Sequence, residues 1–568
     1  MLVKTVEEFR KCKFLDLMAV DTETTSLNPR EAKLVGIGWG DEKEQYYIDW
    51  GICDFQEEAI EKFKEVFKKN RIIFHNAKFD MKIFKQVLNI DFPEKIDDTM
   101  IMHWLLDENN GHGLKELAVS VLKKKVTKYE DVPKEPTLFD DIDSIREKMA
   151  TYCCADVENT FELYLAFNKK IKEEKLDFCY ENIELPLIKV LADIELRGIK
   201  VDKENLKALS KKADAILLEK EALIRALVGN DNFNIRSSKQ LRELIFDKLG
   251  MEPENLTPAG VPSTDNEALT ALSKKNGAVK AIVDYREFDK LNGTYLKGLQ
   301  EKMEGDFIYA DFMQHRTRSG RLASANPNLQ NIPARSDEFN VRQAFIPRDG
   351  YKFVIADYSQ IELRVMAYYS QEPTMIKEFQ EGGDIHQLTA DMVGCTRKHA
   401  KSINFGMIYG LSYMSLAKDL GVPEATAEHY IDVFFGQYKK LKDYIAYIQK
   451  MGLACGYVVT LANRRRRFPK VTKSTTRGEV ASIKRQLINT RIQGSAADLM
   501  KIGMLRAYKA LKPLDASILI QIHDELVVEV KEEQVEEAQV LIKEAMEKAV
   551  TFNIPTPVDM KVADRWVK

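Results

Sequence analysis

The sequence predicts a multidomain chain of α/β and α+β character, on three observations. At 568 residues it is too long to fold around a single core. Apolar runs that end on acids occur near residue 21 and again near residues 357 and 524, which predicts sheets with carboxylates at their tips in two distant parts of the chain. From about Glu181 the pattern between them turns to long helices.

Composition narrows the class. Hydrophobic residues at 45% and charged residues at 30% describe an ordinary soluble protein, and a net charge of −3 gives no sign of nucleic acid by itself. Seven cysteines, only Cys153 and Cys154 adjacent and none in Cys-x-x-Cys spacing, exclude a disulfide framework or a zinc site and imply a reducing compartment. The N-terminus carries charges where a signal peptide needs an apolar run, and no apolar stretch of about 18 residues occurs. A cytoplasmic protein, not secreted, is expected.

Residues 14 to 27 read as a strand that places Asp21 and Glu23 on one side by alternation. A second strand, Ile72 to Phe74, leads through His75 to Asp80 and into an amphipathic helix. On a helix starting near Ile145, Tyr152 and Asp156 stand four apart and share a face. Gly198 stops the helix that begins near Leu185, and Val201-Asp-Lys-Glu opens another. Thr264 and Glu267 have capping-box spacing, and Ser237, Ser238 and Lys239 suit either a helix cap or contact with a duplex backbone.

Phe353 to Arg364 runs as an apolar strand into Asp357 and then Glu362. Ser517 to Val530 reads as a hairpin whose tip is His523, Asp524 and Glu525, with no glycine or asparagine to ease the turn. Strained turns gather at functional sites. Two strands that each bring a carboxylate to one end of a sheet suit a pair of divalent metals about 3.5 to 4 Å apart, the arrangement for in-line phosphoryl transfer.

Between them Arg397, Lys401, Phe405 and Tyr409 recur every four residues. At 3.6 residues per turn each step drifts by only about 40°, so all four share a slowly turning face. Two cations and two rings on that face suit a nucleotide, the phosphates on the cations and the base and sugar against the rings. From Arg464 to Arg491 ten Lys or Arg face one acid, Glu479, and the position between helix and hairpin favours phosphate contact over a merely solvated loop.

The stretches around Asp357, Arg397 to Tyr409 and His523 to Glu525 resemble motifs A, B and C of the family A DNA polymerases, in order. The resemblance covers nearly the whole chain. It implies a DEDD, ribonuclease H-like, 3′-5′ exonuclease domain over 1–180 and a right-hand polymerase domain over 181–568. Within the latter it implies a thumb at about 190–305, a palm at about 306–365 and 500–568, and fingers at about 366–499.

The resemblance assigns residues as well. Asp357 and Asp524 hold the polymerase metals; Glu525, Arg397 and Lys401 complete that catalytic set. Glu362 fills the space of a 2′ hydroxyl, and Gln360, His386, Arg342, Phe405 and Tyr409 contact the nucleotide. Relatives with Tyr at the position of Phe405 accept dideoxynucleotides; those with Phe discriminate against them. Arg321, Gln330, Asn331, Arg485, Asn489, Gln493 and His523 contact DNA, the minor groove offering a check on pair shape without sequence preference. Asp21, Glu23, Asp80 and Asp156 hold the exonuclease metals, and Tyr152 orients the attacking water. Asp98 is expected to be structural. Where relatives have Gly this chain has Asn463, which tolerates a left-handed turn.

The implied activity is template-directed DNA synthesis with proofreading, in replication or repair. Two Mg2+ per site are expected, with Mn2+ able to substitute, and primer-template DNA and deoxynucleoside triphosphates as partners. No membrane partner, a monomer and no thioredoxin-recruiting loop are expected, and the location is the cytoplasm or wherever phage or organellar template DNA lies. A single-subunit RNA polymerase shares the three motifs, but Glu362 and a fused proofreading domain speak against it; a catalytically dead DNA clamp is opposed by the intact acids. The family's 5′ nuclease region is not in the sequence, which fits a short polymerase of a phage or organelle or a trimmed form.

Overall fold

The computed structural model describes residues 1–126, 142–334 and 339–567. Two compact units form: Met1–Arg197 with Phe312–Ser324 and Val354–Lys561, and Gly198–Asp311 with Ala325–Phe353 and Val562–Lys568.

The first unit contains a six-stranded sheet in the order Leu2–Val3, Gln45–Asp49, Leu34–Gly40, Leu17–Thr24, Arg71–Phe74, Lys95–Asp98. Leu17–Thr24 pairs antiparallel with Leu34–Gly40 and parallel with Arg71–Phe74. As an inner strand it is covered on both faces, which is why Met18, Ala19 and Val20 are successive buried residues. The helices Gln56–Lys69 and Ala77–Leu88 bring Phe63, Phe67 and Phe84 together, and Phe63 also meets Trp39 edge-on at 5.7 Å. Burying each such ring stabilises the fold by about 1.5 to 3 kcal/mol.

The helix Ile142–Glu173 begins three residues before the expected Ile145 and packs on the same sheet. Gly38 permits that approach: a Cβ there would stand 2.5 Å from Cys153 Sγ. Asp98 is structural, as expected. Its Oδ1 accepts from Met100 N at 2.8 Å, capping Thr99–Leu106, while its Oδ2 accepts from Ala77 N at 2.8 Å.

A four-stranded sheet follows, in the order Ala516–Ile522, Glu525–Lys531, Tyr351–Tyr358, Val558–Ala563. The runs Phe353–Ala356 and Leu526–Val530 are buried throughout, so they are continuously apolar except for Glu529, which pairs with Arg197 at 2.8 Å. The 35-residue helix Arg477–Leu511 packs against Val535–Glu547, whose Ala538, Ile542 and Met546 are buried. Asn463 takes φ of 63°, as its turn demands, and its Nδ2 donates to the Lys175 carbonyl at 2.6 Å.

The basic run needs correction. Arg464 is buried between Glu184 and Asp498, Arg465 and Arg467 pair with Glu174, Arg467 also with Glu108, and Arg466 donates to Thr490 and Gln486. These four cations hold the unit together and are not set out for phosphate. The acids that match them lie outside the run, Asp498 34, Glu184 280 and Glu108 359 residues from their arginines, so a local charge count does not see them. Arg464→Ala leaves Asp498 buried without its cation and Glu184 with Lys501 alone, and should destabilise this unit by about 3 to 5 kcal/mol in denaturant unfolding.

The second unit packs the helices Lys203–Val228, Asn266–Ser273 and Gly277–Lys290 around Leu217, Ile224, Leu241, Ile282 and Tyr285. Asp202 caps Lys203–Val228, and Gly198 takes φ of 63°, as the stop and start signals predict. Thr264 is not the cap of the next helix. Asp265 is, accepting from Ala268 N at 2.8 Å, because its own Oδ2 is held by the Ser263 hydroxyl at 2.7 Å. Ser237 caps Ser238–Arg242.

Candidate active sites

In the first sheet, alternation along Leu17–Thr24 puts Asp21 and Glu23 side by side, and one oxygen of each lies within 4.8 Å of Cys153 Sγ. Asp80 enters from the first turn of Ala77–Leu88, where its Oδ1 accepts from Thr22 N at 3.0 Å and Thr22 Oγ1 at 2.6 Å. Asp156 comes from the long helix and is ion-paired with Lys115. Lys115 Nζ also lies 3.9 Å from the centre of the Tyr152 ring. A cavity of about 530 Å3 opens here, lined by Lys115, Lys148, Thr151 and Tyr152 among others.

Burial is the main force on these carboxyls and raises all four; Glu23 and Asp80 are pushed up to about 7. The neighbouring acids raise Asp21 and Glu23 further, while Lys115 opposes the rise at Glu23 and Asp156. Buried carboxylates that repel one another suit hard divalent cations, whose charge would reverse the cost of ionising them.

A sign follows for stability. Between the ordinary carboxyl range near 4 and about 7 the folded protein holds protons that the unfolded chain releases. Metal-free protein should therefore become more stable as pH falls from about 8 to 6. Thermal melts of chelator-treated protein check this, and added Mg2+ at about pH 8 should recover the lost stability.

In the second sheet, Asp357 lies near the end of Tyr351–Tyr358, and Asp524 in the turn between Ala516–Ile522 and Glu525–Lys531. The Tyr358 amide donates to the Asp524 carbonyl at 3.1 Å, tying the turn to the neighbouring strand. His523 takes φ of 50°, the strained conformation its non-glycine turn implied, and Gln521 Nε2 donates to its carbonyl at 2.6 Å. Glu525 is buried and is already in the strand, paired with Ile522, so the tip is two residues and not three.

Asp524 is pushed up to about 7, by burial first, then by Glu362 and Asp357, against the pull of Arg321. Those four groups share one field. Arg321 Nη2 donates to Glu362 Oε1 at 2.5 Å, and the Tyr409 hydroxyl donates to Glu362 Oε2 at 2.7 Å. The Glu362 carboxylate is thus held from both sides.

The Arg397–Ile408 helix presents the expected face. Arg397 and Lys401 are exposed and Phe405 and Tyr409 half-buried, while Ala400, Ile403, Asn404 and Met407 form the buried side. Phe405 and Tyr409 stack at 6.2 Å and 22°. Arg397 Nε donates to Asp384 Oδ2 at 2.6 Å, and Asn404 Nδ2 donates to His386 Nδ1 at 2.9 Å, with the His386 ring 5.8 Å from Phe405.

Comparison with known proteins decides the family. The model described as DNA polymerase family A matches residues 203–568, and the one described as 3′-5′ exonuclease matches residues 2–172. The chain belongs to DNA polymerase family A. It is 37% identical to DNA polymerase I of Borreliella burgdorferi over 99% of this chain and 63% of that protein. It is 34% identical to DNA polymerase I of Synechocystis sp. over 99% of this chain and 61% of that protein. The chain therefore spans less than two thirds of these relatives' length. The POL domain of Pol1 from M. smegmatis, solved in complex with DNA primer-template and dNTP, superposes with a TM-score of 0.86 at 26% identity, covering 97% of this chain and 95% of that one. Polymerase and exonuclease domains of family A use divalent metals, in keeping with the carboxylate clusters.

Further family positions fall as follows. On Arg477–Leu511, Arg485 is exposed beside Gly410, Gln493 meets the Tyr409 hydroxyl, and Asn489 Oδ1 is buried with no hydrogen-bond partner in the protein. Gln360, at φ of 53°, precedes the Ile361–Ser370 helix that carries Glu362. Gln330, Asn331 and Arg342 belong to the second unit. There Arg342 is buried, donating to the Ile332 carbonyl at 3.3 Å and lying 4.4 Å over the Trp566 ring. Sequence reading missed Lys115 and Cys153 at the first cluster; one lysine among many carries no periodic signal, and Cys153 reads as packing. No helix of the described residues is long and apolar enough to cross a membrane.

Proposed function

We propose that this chain is a DNA-directed DNA polymerase that extends a primer from deoxynucleoside triphosphates and proofreads with a 3′-5′ exonuclease, in replication or repair. The observation that carries the reading is Glu362, fixed between Arg321 and Tyr409 beside the raised carboxyl of Asp524. In family A a carboxylate at this position would limit the space beside the sugar of an incoming nucleotide, and one fixed from both sides beside a raised carboxyl suits that role.

The exonuclease region is assigned to 1–180 and the polymerase to 181–568, with thumb about 190–305, palm about 306–365 and 500–568, and fingers about 366–499. Asp357 and Asp524 would hold the polymerase metals, with Glu525 near them, and Asp21, Glu23, Asp80 and Asp156 those of the exonuclease. Mg2+ is the natural ion, two per site, with Mn2+ able to substitute. Bound there, divalent cations supply Lewis-acid stabilisation of the phosphoryl oxygens and lower the pKa of the attacking hydroxyl or water.

The chain's own residues do the rest. Arg397 and Lys401 offset charge on the triphosphate, Phe405 and Tyr409 seat the base and sugar, and His386, Gln360 and Arg342 support the nucleotide. Arg321, Gln330, Asn331, Arg485, Asn489, Gln493 and His523 position primer and template. In the exonuclease, Tyr152 orients the attacking water. The protein works as a soluble monomer.

Primer extension on 5′-labelled DNA together with degradation of single-stranded DNA tests the whole reading; absence of both activities in folded, metal-loaded protein would reject it. At the gate, Glu362→Ala should raise the ratio of ribonucleotide to deoxyribonucleotide incorporation by about tenfold or more, with some loss of rate because Arg321 and Tyr409 lose their shared partner. Competition assays give the ratio, and an unchanged value removes Glu362 from sugar choice.

A further inference from the structure

The segment that delivers Arg321 to Glu362 is pinned along its length by hydrogen bonds with residues from earlier in the chain. Lys78 Nζ donates to the Phe312 carbonyl, and the Phe312 amide donates to Glu195 Oε1 at 2.6 Å. Gln314 Nε2 donates to the Glu184 carbonyl at 2.9 Å. Trp104 Nε1 donates to the Thr317 carbonyl at 3.2 Å, and the Thr317 hydroxyl donates in turn to the Arg321 carbonyl at 2.6 Å.

Trp104 is itself clamped. It is buried, with the Arg464 guanidinium 4.9 Å and Lys501 Nζ 5.3 Å from its ring. The turn before Arg321 closes on the same arginine: at Gly320, φ 86°, a Cβ would stand 2.5 Å from Arg464 Nε.

We propose that Trp104, which lies in the stretch matched by the exonuclease model, is a positioning residue for sugar choice at the polymerase site. It acts through Thr317 and Arg321 on Glu362. A carboxylate excludes a 2′ hydroxyl only while it is held in one place, and Glu362 is held by Arg321 on one oxygen and Tyr409 on the other. Arg321 can hold it only from a fixed backbone, which the Trp104 and Thr317 hydrogen bonds supply. Losing the indole donor leaves the Thr317 carbonyl without that bond and lets the turn relax, and small displacements at a reacting centre carry large consequences.

The inference rests on reading Glu362 as the sugar gate, and the test separates the two. In protein carrying Asp21→Ala and Glu23→Ala, the deoxyribo-to-ribo efficiency ratio is measured for Trp104→Phe, Thr317→Val, Glu362→Ala, and Trp104→Phe combined with Glu362→Ala. Trp104→Phe keeps a ring under Arg464 but removes the donor, and Thr317→Val removes the hydroxyl at constant shape. Each should lower discrimination by about threefold to tenfold, and Trp104→Phe should add nothing once Glu362 is Ala. An unchanged ratio in either folded variant overturns the positioning role, as does an equal effect of Trp104→Phe with and without the Glu362 side chain, which would mark a general loosening of the fold. Thr317→Val carries the test alone if Trp104→Phe does not fold. If Glu362→Ala leaves the ratio unchanged, the gate reading fails and this inference fails with it.

Discussion

Asp357→Ala or Asp524→Ala should abolish primer extension, by about a thousandfold or more, and leave degradation of single-stranded DNA intact. On the proposed role, removing a carboxylate that holds the metals takes away several kcal/mol of transition-state stabilisation, and each 1.4 kcal/mol or so is tenfold in rate. Asp21→Ala with Glu23→Ala should do the converse. The reason for separability lies in where the acids stand: Asp21 and Glu23 on Leu17–Thr24 of the six-stranded sheet, Asp357 and Asp524 on the four-stranded one. The Asp524 carboxyl responds to Glu362 and Asp357, whereas Asp21 responds to Glu23, Asp80 and Asp156. Extension and exonuclease assays on folded variants check it, and loss of both activities from either change would show that the sites are not independent.

The same acids mark the limit of what the sequence makes legible. A strand that ends on an acid is a local pattern, and so is a four-residue repeat of Arg397, Lys401, Phe405 and Tyr409; period and spacing reveal both, and the helix face came out as read. The strained tip of the hairpin was legible for a similar reason, because two apolar runs without a turn former leave few ways to connect, and His523 takes the strain at φ of 50°. What stayed hidden was pairing across long separations. Arg464 to Arg467 read as a basic surface until Glu184, Glu174, Glu108 and Asp498 were brought to them by the fold. Lys115 answers Asp156 across 41 residues, and Trp104 reaches Thr317 across 213. Even the cap at Asp265 turned on Ser263, a side chain outside the capping-box pattern. Periodicity reports which way a residue faces; it does not report what it meets there.

Phe405→Tyr should raise the efficiency of dideoxynucleotide over normal nucleotide use by at least about tenfold. Phe405 is half-buried on the face of its helix proposed to hold the nucleotide, stacked on Tyr409 and near the His386 ring, so a hydroxyl added at the ring tip stays on that face without disturbing the core side, where Ile403, Asn404 and Met407 pack. A normal nucleotide's 3′ hydroxyl makes a polar contact with its own phosphates, and a dideoxynucleotide lacks it. A tyrosine hydroxyl restores the partner. Hydrogen bonds to charged groups contribute roughly 1.5 to 3 kcal/mol, which corresponds to about ten- to a hundredfold in rate. Normal substrates already satisfy the phosphate and should change little. The comparison belongs in the Asp21→Ala, Glu23→Ala background, because an active exonuclease would excise the terminators and hide the gain. A flat ratio there, with normal extension preserved, would place Phe405 away from the sugar and leave the nucleotide face to Arg397, Lys401 and Tyr409.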